Sequence, residues 1–105
     1  MSRKNKIEAD GDVLVVEKTA VQRPRQYKVL LHNDDFTPME FVVLILSEIF
    51  HKNKDEAVHI MLTVHKKGKA VCGHFPKAVA EAKVAKVMSL AKQQGHPLMC
   101  SMEPA

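Results

Sequence analysis

The sequence predicts an α+β domain, a two-layer sandwich in which a three-stranded sheet packs against three helices in the order β-α-α-β-α-β. Two observations carry this. Short β-type runs at Tyr27–His32, Lys69–Phe75 and Pro97–Met102 are separated by longer segments with helical periodicity. Each helical segment also opens on start chemistry and closes on turn chemistry.

In Tyr27-Lys-Val-Leu-Leu-His32, β-type residues run up to the turn residues Asn33-Asp34-Asp35. The first helix then opens at Thr37, Pro38 and Glu40, read as N-cap, N1 and N3 of a capping box, with Phe36 and Phe41 placed to form a hydrophobic staple. It is expected to run to about His51 as a buried, central helix, because apolar residues cover most of its circumference. Asn53 and Glu56 form a second capping signature. The helix behind them carries the stripe Ala57, Ile60, Met61, Val64 and ends before Gly68. In the second strand, Gly73 marks a bulge or a close approach, and Cys72 and His74 are expected on one face. Pro76 at N1 opens a third helix with the stripe Ala80, Val84, Val87, Met88, Ala91, and Gly95 ends it. Residues 25–105 are therefore expected to form the core domain and residues 1–24 a flexible N-terminal extension. In that extension only Val13–Val16 could pair as an extra strand or dock.

Composition removes several classes of function. With 46% apolar residues the chain is not a disordered polymer. Its longest apolar run, Phe41–Leu46, is six residues, against the roughly 18 a membrane span needs. No apolar segment follows the N-terminal charges, so a cytoplasmic location is the default expectation and no membrane is involved. The net charge of +4 is spread evenly: six basic against four acidic residues up to Arg25, ten against eight beyond it. A small basic ribosome- or nucleic-acid-associated domain stays open as an alternative. However, the chain has one Tyr, four Phe and no Trp, and Lys67–His74 lacks the aromatics that stack on RNA bases.

Catalytic motifs are missing: there is no G-x-S-x-G, no HExxH and no phosphate-cradling glycine loop. Cys72 and Cys100 are too few for a disulfide framework and are expected as buried free thiols. Cys72-x-His74 and His96-x3-Cys100 could supply four zinc ligands, but neither spacing is a known knuckle, so no metal or other cofactor is expected. Binding chemistry concentrates at Asn33–Glu40, where carboxylate and amide groups gather at a helix start. His65 lies four residues after Met61, so the two share a helix face with Val64 beside them.

As a unit, Asn33-Asp-Asp-Phe-Thr-Pro-Met-Glu-Phe-Val42 resembles the NDD-[YF]-TPMEFV signature of the ClpS family, the adaptors of the ATP-dependent Clp protease. The likeness continues through Ile60–Lys69, Ala70–Gly73, Ala80–Ala85 and His96–Cys100, in order and with matching spacings. The resemblance implies an antiparallel sheet and a monomeric adaptor that is not an enzyme. Such proteins bind N-degron substrates through an N-terminal Leu, Phe, Tyr or Trp, deliver them to the ClpA unfoldase, and suppress ClpA's other substrates. It further implies that Asn33, one or both of Asp34 and Asp35, and His65 receive the substrate's α-amino group. His65 must present an unprotonated nitrogen, so acid should weaken binding. Thr37, Met39, Val42, Met61, Val64 and Leu98 match the lining of the side-chain pocket, with Met39 as gatekeeper against β-branched residues. Glu81 and Lys83 resemble the surface that docks on the ClpA N-terminal domain; nearby, Ala78 replaces an acidic residue of some relatives.

Overall fold

Along Tyr27-Lys-Val-Leu-Leu-His32 every second side chain is apolar and inward, and this strand becomes the centre of the sheet. The structure, a computed structural model, describes residues 24–105. Its elements are β1 (Gln26–His32), α1 (Met39–Glu48), α2 (Lys54–Lys67), β2 (Lys69–Pro76), α3 (Lys77–Gln93) and β3 (Met99–Pro104), the order that the sequence predicts. The strands lie β2-β1-β3, with both neighbours antiparallel to β1. Apart from Pro24, the expected extension and its Val13–Val16 patch lie outside the described residues.

Val29 and Leu31 of β1 are fully buried and meet Phe41, Ile45 and Leu46 of α1, Ala57 and Val64 of α2, and Val87 and Ala91 of α3 in one core. On the opposite face, Lys28 pairs with Glu103 at 3.4 Å, and His32 Nε2 lies 2.7 Å from Ser101 Oγ. These contacts join β1 to β3 across the strand positions that the helices do not cover.

β2 departs from simple alternation. Val29 pairs with Gly73, but Leu30 pairs with Val71, so Cys72 is an extra residue in the ladder. The bulge moves the alternation on by one position. Cys72 is buried, His74 is exposed and Phe75 packs against the core. The expectation that Cys72 and His74 share a face is therefore overturned, and with it the pairing that a zinc site would use. A Cβ added to Gly73 would stand 2.7 Å from the Phe75 ring, so the glycine is required by a close approach. That ring is held in place: it lies 6.2 Å from the ring of Phe50, with the Lys83 ammonium 5.5 Å from its own centroid.

The helix ends are mostly as predicted, with corrections at the start of α1 and at α3, where Pro76, expected at N1, is the N-cap residue. Asn53 caps α2 by accepting from the Glu56 N–H at 2.9 Å, and Gly68 (φ 91°) ends it with its N–H on the Val64 carbonyl. α3 ends in a Schellman arrangement around Gly95 (φ 73°): His96 N–H donates to the Ala91 carbonyl and Gly95 N–H to that of Lys92. At α1, Pro38 rather than Thr37 is the N-cap residue, and no side chain caps it. Thr37 donates its hydroxyl to Asp34 instead, so the capping box does not form. Phe36 is 80% exposed, so the staple is also missing. α1 stops at Glu48, short of His51, and presents Leu44 to solvent rather than being buried all round.

Gly73→Ala is expected to destabilise the domain by about 1–3 kcal/mol through overpacking against Phe75, read as a lower denaturant midpoint at unchanged slope. The double variant Gly73→Ala/Phe75→Leu should recover part of the loss.

Candidate functional site

The ladder between β1 and β2 runs to His32↔Lys69, and one more bond extends it: Asn33 N–H donates to the Gly68 carbonyl at 2.8 Å. This bond ties the loop after β1 to the C-terminus of α2. Two sequence segments that predict binding chemistry, residues 33–42 and 61–65, thereby face one another.

Within the loop, Asp34 forms an Asx-type turn. Its Oδ1 accepts the N–H groups of Phe36 (2.8 Å) and Thr37 (2.7 Å), and its Oδ2 accepts the Thr37 hydroxyl (2.7 Å). Partial burial opposes ionisation of this carboxyl. The Thr37 hydroxyl, the two N–H donors and nearby His96 outweigh that effect and hold its pKa below the ordinary value. Both oxygens are thus engaged in shaping the loop. Asp35 differs: it is exposed and has no hydrogen-bond or ion-pair partner among the described residues.

Between loop, α1 and α2 lies a cavity of about 220 Å³. Asn33, Asp34, Asp35, Thr37 and His65 form its polar side, and Met39, Val42, Met61 and Val64 its apolar side. Val42 and Val64 are buried, Met61 is half-buried, and Asn33, Asp35 and His65 are exposed. The spacing explains the convergence. Met39 and Val42 occupy one face of the first turn of α1, and Met61, Val64 and His65 one face of the end of α2. The arrangement offers an amide, a carboxylate and an imidazole beside an apolar recess. It suits a ligand with a cationic donor attached directly to an apolar group.

Nine of the ten residues expected to contact substrate line this cavity. Leu98 does not. It lies between Pro97 and the start of β3, is buried in the core, and borders a shallow groove beside Met88 and Ala91 of α3. Of the two residues expected at a partner surface, Glu81 is exposed. Lys83 is half-buried and donates to the Ile49 carbonyl at 2.6 Å, so it closes the C-terminus of α1. Sequence reading missed His96. Its ring packs edge-on against Phe41 of α1 at 4.6 Å and acts electrostatically on Asp34. Its place directly after the helix-ending Gly95 was the available signal.

The cysteines offer no nucleophile. Burial pushes both thiols up to about 12, so neither forms a thiolate near neutral pH. They sit on β2 and β3 with β1 between them, two strand spacings or roughly 9–10 Å apart, too far for a disulfide. Among the described residues no three His, Cys, Asp or Glu side chains converge as metal ligands, and no helix is long and apolar enough to cross a membrane.

The family model described as ATP-dependent Clp protease adaptor protein ClpS matches residues 22–101. This chain belongs to the ClpS family. The ClpS adapter of Janthinobacterium sp. (strain Marseille) is 52% identical over 94 residues, 90% of this chain and 92% of that one. The ClpS adapter of Roseobacter denitrificans is 52% identical over 103 residues, 98% and 91% of the two chains. Among solved structures, Agrobacterium tumefaciens ClpS2 bound to L-phenylalaninamide matches with a TM-score of 0.76 and 41% identity, covering 79% of this chain and all of that one. ClpS proteins are protease adaptors, and this chain is not itself a catalyst.

The two loop aspartates should separate experimentally. Asp34→Ala removes three hydrogen bonds and should cost about 1–2 kcal/mol of stability by denaturant titration. Asp35→Ala should leave stability within about 0.5 kcal/mol of the parent. Because the folded pKa of Asp34 is depressed, its contribution is complete above the ordinary carboxylate range and is lost as pH falls through the lowered value. The stability difference between parent and Asp34→Ala should therefore shrink on acidification below about pH 4.

Proposed function

We propose that this adaptor captures proteins by a free N-terminal residue with a large apolar side chain (Leu, Phe, Tyr or Trp) and delivers them to the ClpA unfoldase. The observation that carries this reading is the meeting of Asn33, Asp35 and His65 with the apolar side of the 220 Å³ cavity. An α-ammonium group has three N–H donors, and these three side chains are acceptors with no partner of their own among the described residues. Asp35 offers both of its oxygens to the charge, whereas Asp34 gives three acceptor positions to the loop and keeps one on Oδ2. An apolar cavity of about 150 Å³ accepts benzene, so this one has room for a benzyl side chain. L-phenylalaninamide, the ligand of the Agrobacterium relative, joins a free α-amino group to such a side chain. Met39, at the cavity wall and 45% exposed, narrows the entrance against branching at Cβ. Delivery uses the exposed face of α3 at Glu81, while Lys83 ties that helix to the C-terminus of α1.

Fluorescence polarisation with labelled peptides tests the capture step. Peptides beginning with Leu or Phe should saturate. N-acetylation should cost about 100-fold or more, the value of two charge-assisted hydrogen bonds. Equal affinity for the acetylated peptide would refute the assignment. Met39→Ala should admit Ile and Val peptides.

A second experiment addresses delivery. Glu81→Ala should weaken binding to the ClpA N-terminal domain at unchanged melting temperature, whereas Lys83→Ala should lower the melting temperature. If Glu81→Ala binds ClpA as the parent does, α3 is not the docking face.

A further inference from the structure

Two of the four apolar residues facing the cavity are thioethers, and they differ from the other methionines in their surroundings. Met39 lines the cavity and is 45% exposed, so both an apolar ligand and a solvent-borne oxidant can reach this residue. Met61 lines it too but is half-buried. Met88 is half-buried and its Sδ accepts the Cys100 N–H at 3.3 Å. Met99, on β3, is 55% exposed and lies away from this cavity. Met102 is half-buried as well. Exposure governs thioether oxidation, so among the described residues Met39 and Met99 are the reactive pair, and only one of them stands at the site.

We propose that Met39 is a reversible oxidation site, and that its sulfoxide closes the cavity to apolar N-terminal side chains. This rests on the reading of the cavity given above. The oxidant is a peroxide. The Met39 sulfur lone pair attacks one oxygen of hydrogen peroxide, the O–O bond breaks, and the departing hydroxide leaves as water after taking up the proton of the transferred oxygen. Sulfur loses two electrons and the peroxide gains them, so one thioether and one H2O2 give one sulfoxide and one H2O. Methionine sulfoxide reductases reverse the step. The new S=O is a strong acceptor placed on the apolar side of the cavity, where Val42, Val64 and the incoming side chain have no donor for it. A bound Leu or Phe side chain would strip that oxygen of water without replacing the hydrogen bond. The α-ammonium contacts at Asn33, Asp35 and His65 are untouched, so the loss falls on side-chain recognition alone.

The test uses the full chain titrated with hydrogen peroxide. Sulfoxide occupancy at each methionine is followed by peptide mass spectrometry, and affinity by polarisation with a peptide that begins with Phe. Affinity should fall about tenfold or more in step with Met39 sulfoxide, the cost of one buried unpaired acceptor. The melting temperature should stay unchanged over that range, and a methionine sulfoxide reductase should restore binding. Met99→Leu should be as sensitive as the parent. Met39→Leu should keep its own untreated affinity while Met99 becomes fully oxidised. Full oxidation of Met39 without loss of affinity would overturn the inference. So would a Met39→Leu protein that loses affinity as steeply as the parent. If untreated protein binds no Phe peptide, the reading of the cavity fails first and the oxidation site falls with it.

Discussion

The site depends on a single backbone hydrogen bond, from Asn33 N–H to the Gly68 carbonyl. Its polar groups come from a loop that follows β1 and from a helix that precedes β2, about thirty residues apart in sequence. Antiparallel pairing in the register His32↔Lys69 brings these segments level, and the Asn33–Gly68 bond locks them one residue further out. Gly68 can turn its carbonyl towards Asn33 because it adopts φ 91°, a conformation that a side chain would strain. Register, left-handed glycine and loop bond thus form one chain of causes. A one-residue slip would carry Asn33 away from Gly68 and turn Val29 and Leu31 out of the core at the same time.

Two adjacent aspartates show how a loop divides identical chemistry. Asp34 accepts three hydrogen bonds from Thr37 and Phe36, two on Oδ1 and one on Oδ2, and His96 adds a favourable field. It builds the loop. Asp35 has no such partners among the described residues and can answer to a ligand. The competition for Thr37 has one further effect. Its hydroxyl turns back to Asp34, so α1 begins at Pro38 without a side-chain cap. Pro38 limits the cost, since its carbonyl still receives the N–H groups of Phe41 and Val42.

Features set by near neighbours were legible in the sequence, and features set across the fold were not. Asn53 with Glu56, Gly68 and Gly95 each act over four residues or fewer, and α2 and α3 end where those signals place them. The strand–helix order and nine cavity residues follow from local pattern together with the family signature. The cap of α1 failed because two local rules competed for Thr37, and sequence alone does not rank an Asx turn against a capping box. Gly73 announced a disturbance in β2, but only pairing with β1 shows that the extra residue is Cys72 and that Phe75 turns inward. Lys83 reads as surface charge until the fold brings it to the Ile49 carbonyl, thirty-four residues away in sequence. Leu98 has the right chemistry for the cavity, yet the segment leading into β3 places it in the core.

The stability of the domain and its readiness to bind rest on separate groups. Asp34, Asn53, Lys83 and the Schellman carbonyls are satisfied internally, and burial keeps both thiols protonated and inert. Asn33, Asp35 and His65 keep their side-chain acceptors towards solvent. In water that costs little, because exposed acceptors remain hydrated. A ligand gains from them only if it returns a donor for each hydration bond lost, and an α-ammonium does so within one group. The apolar side of the cavity then supplies the surplus in proportion to the apolar surface it removes from water. Neither half is selective alone: solvated acceptors tolerate many cations, and an apolar recess tolerates many side chains. Selectivity comes from holding the two at fixed separation, and that separation is set by the register of β1 and β2 and the bond from Asn33 to Gly68.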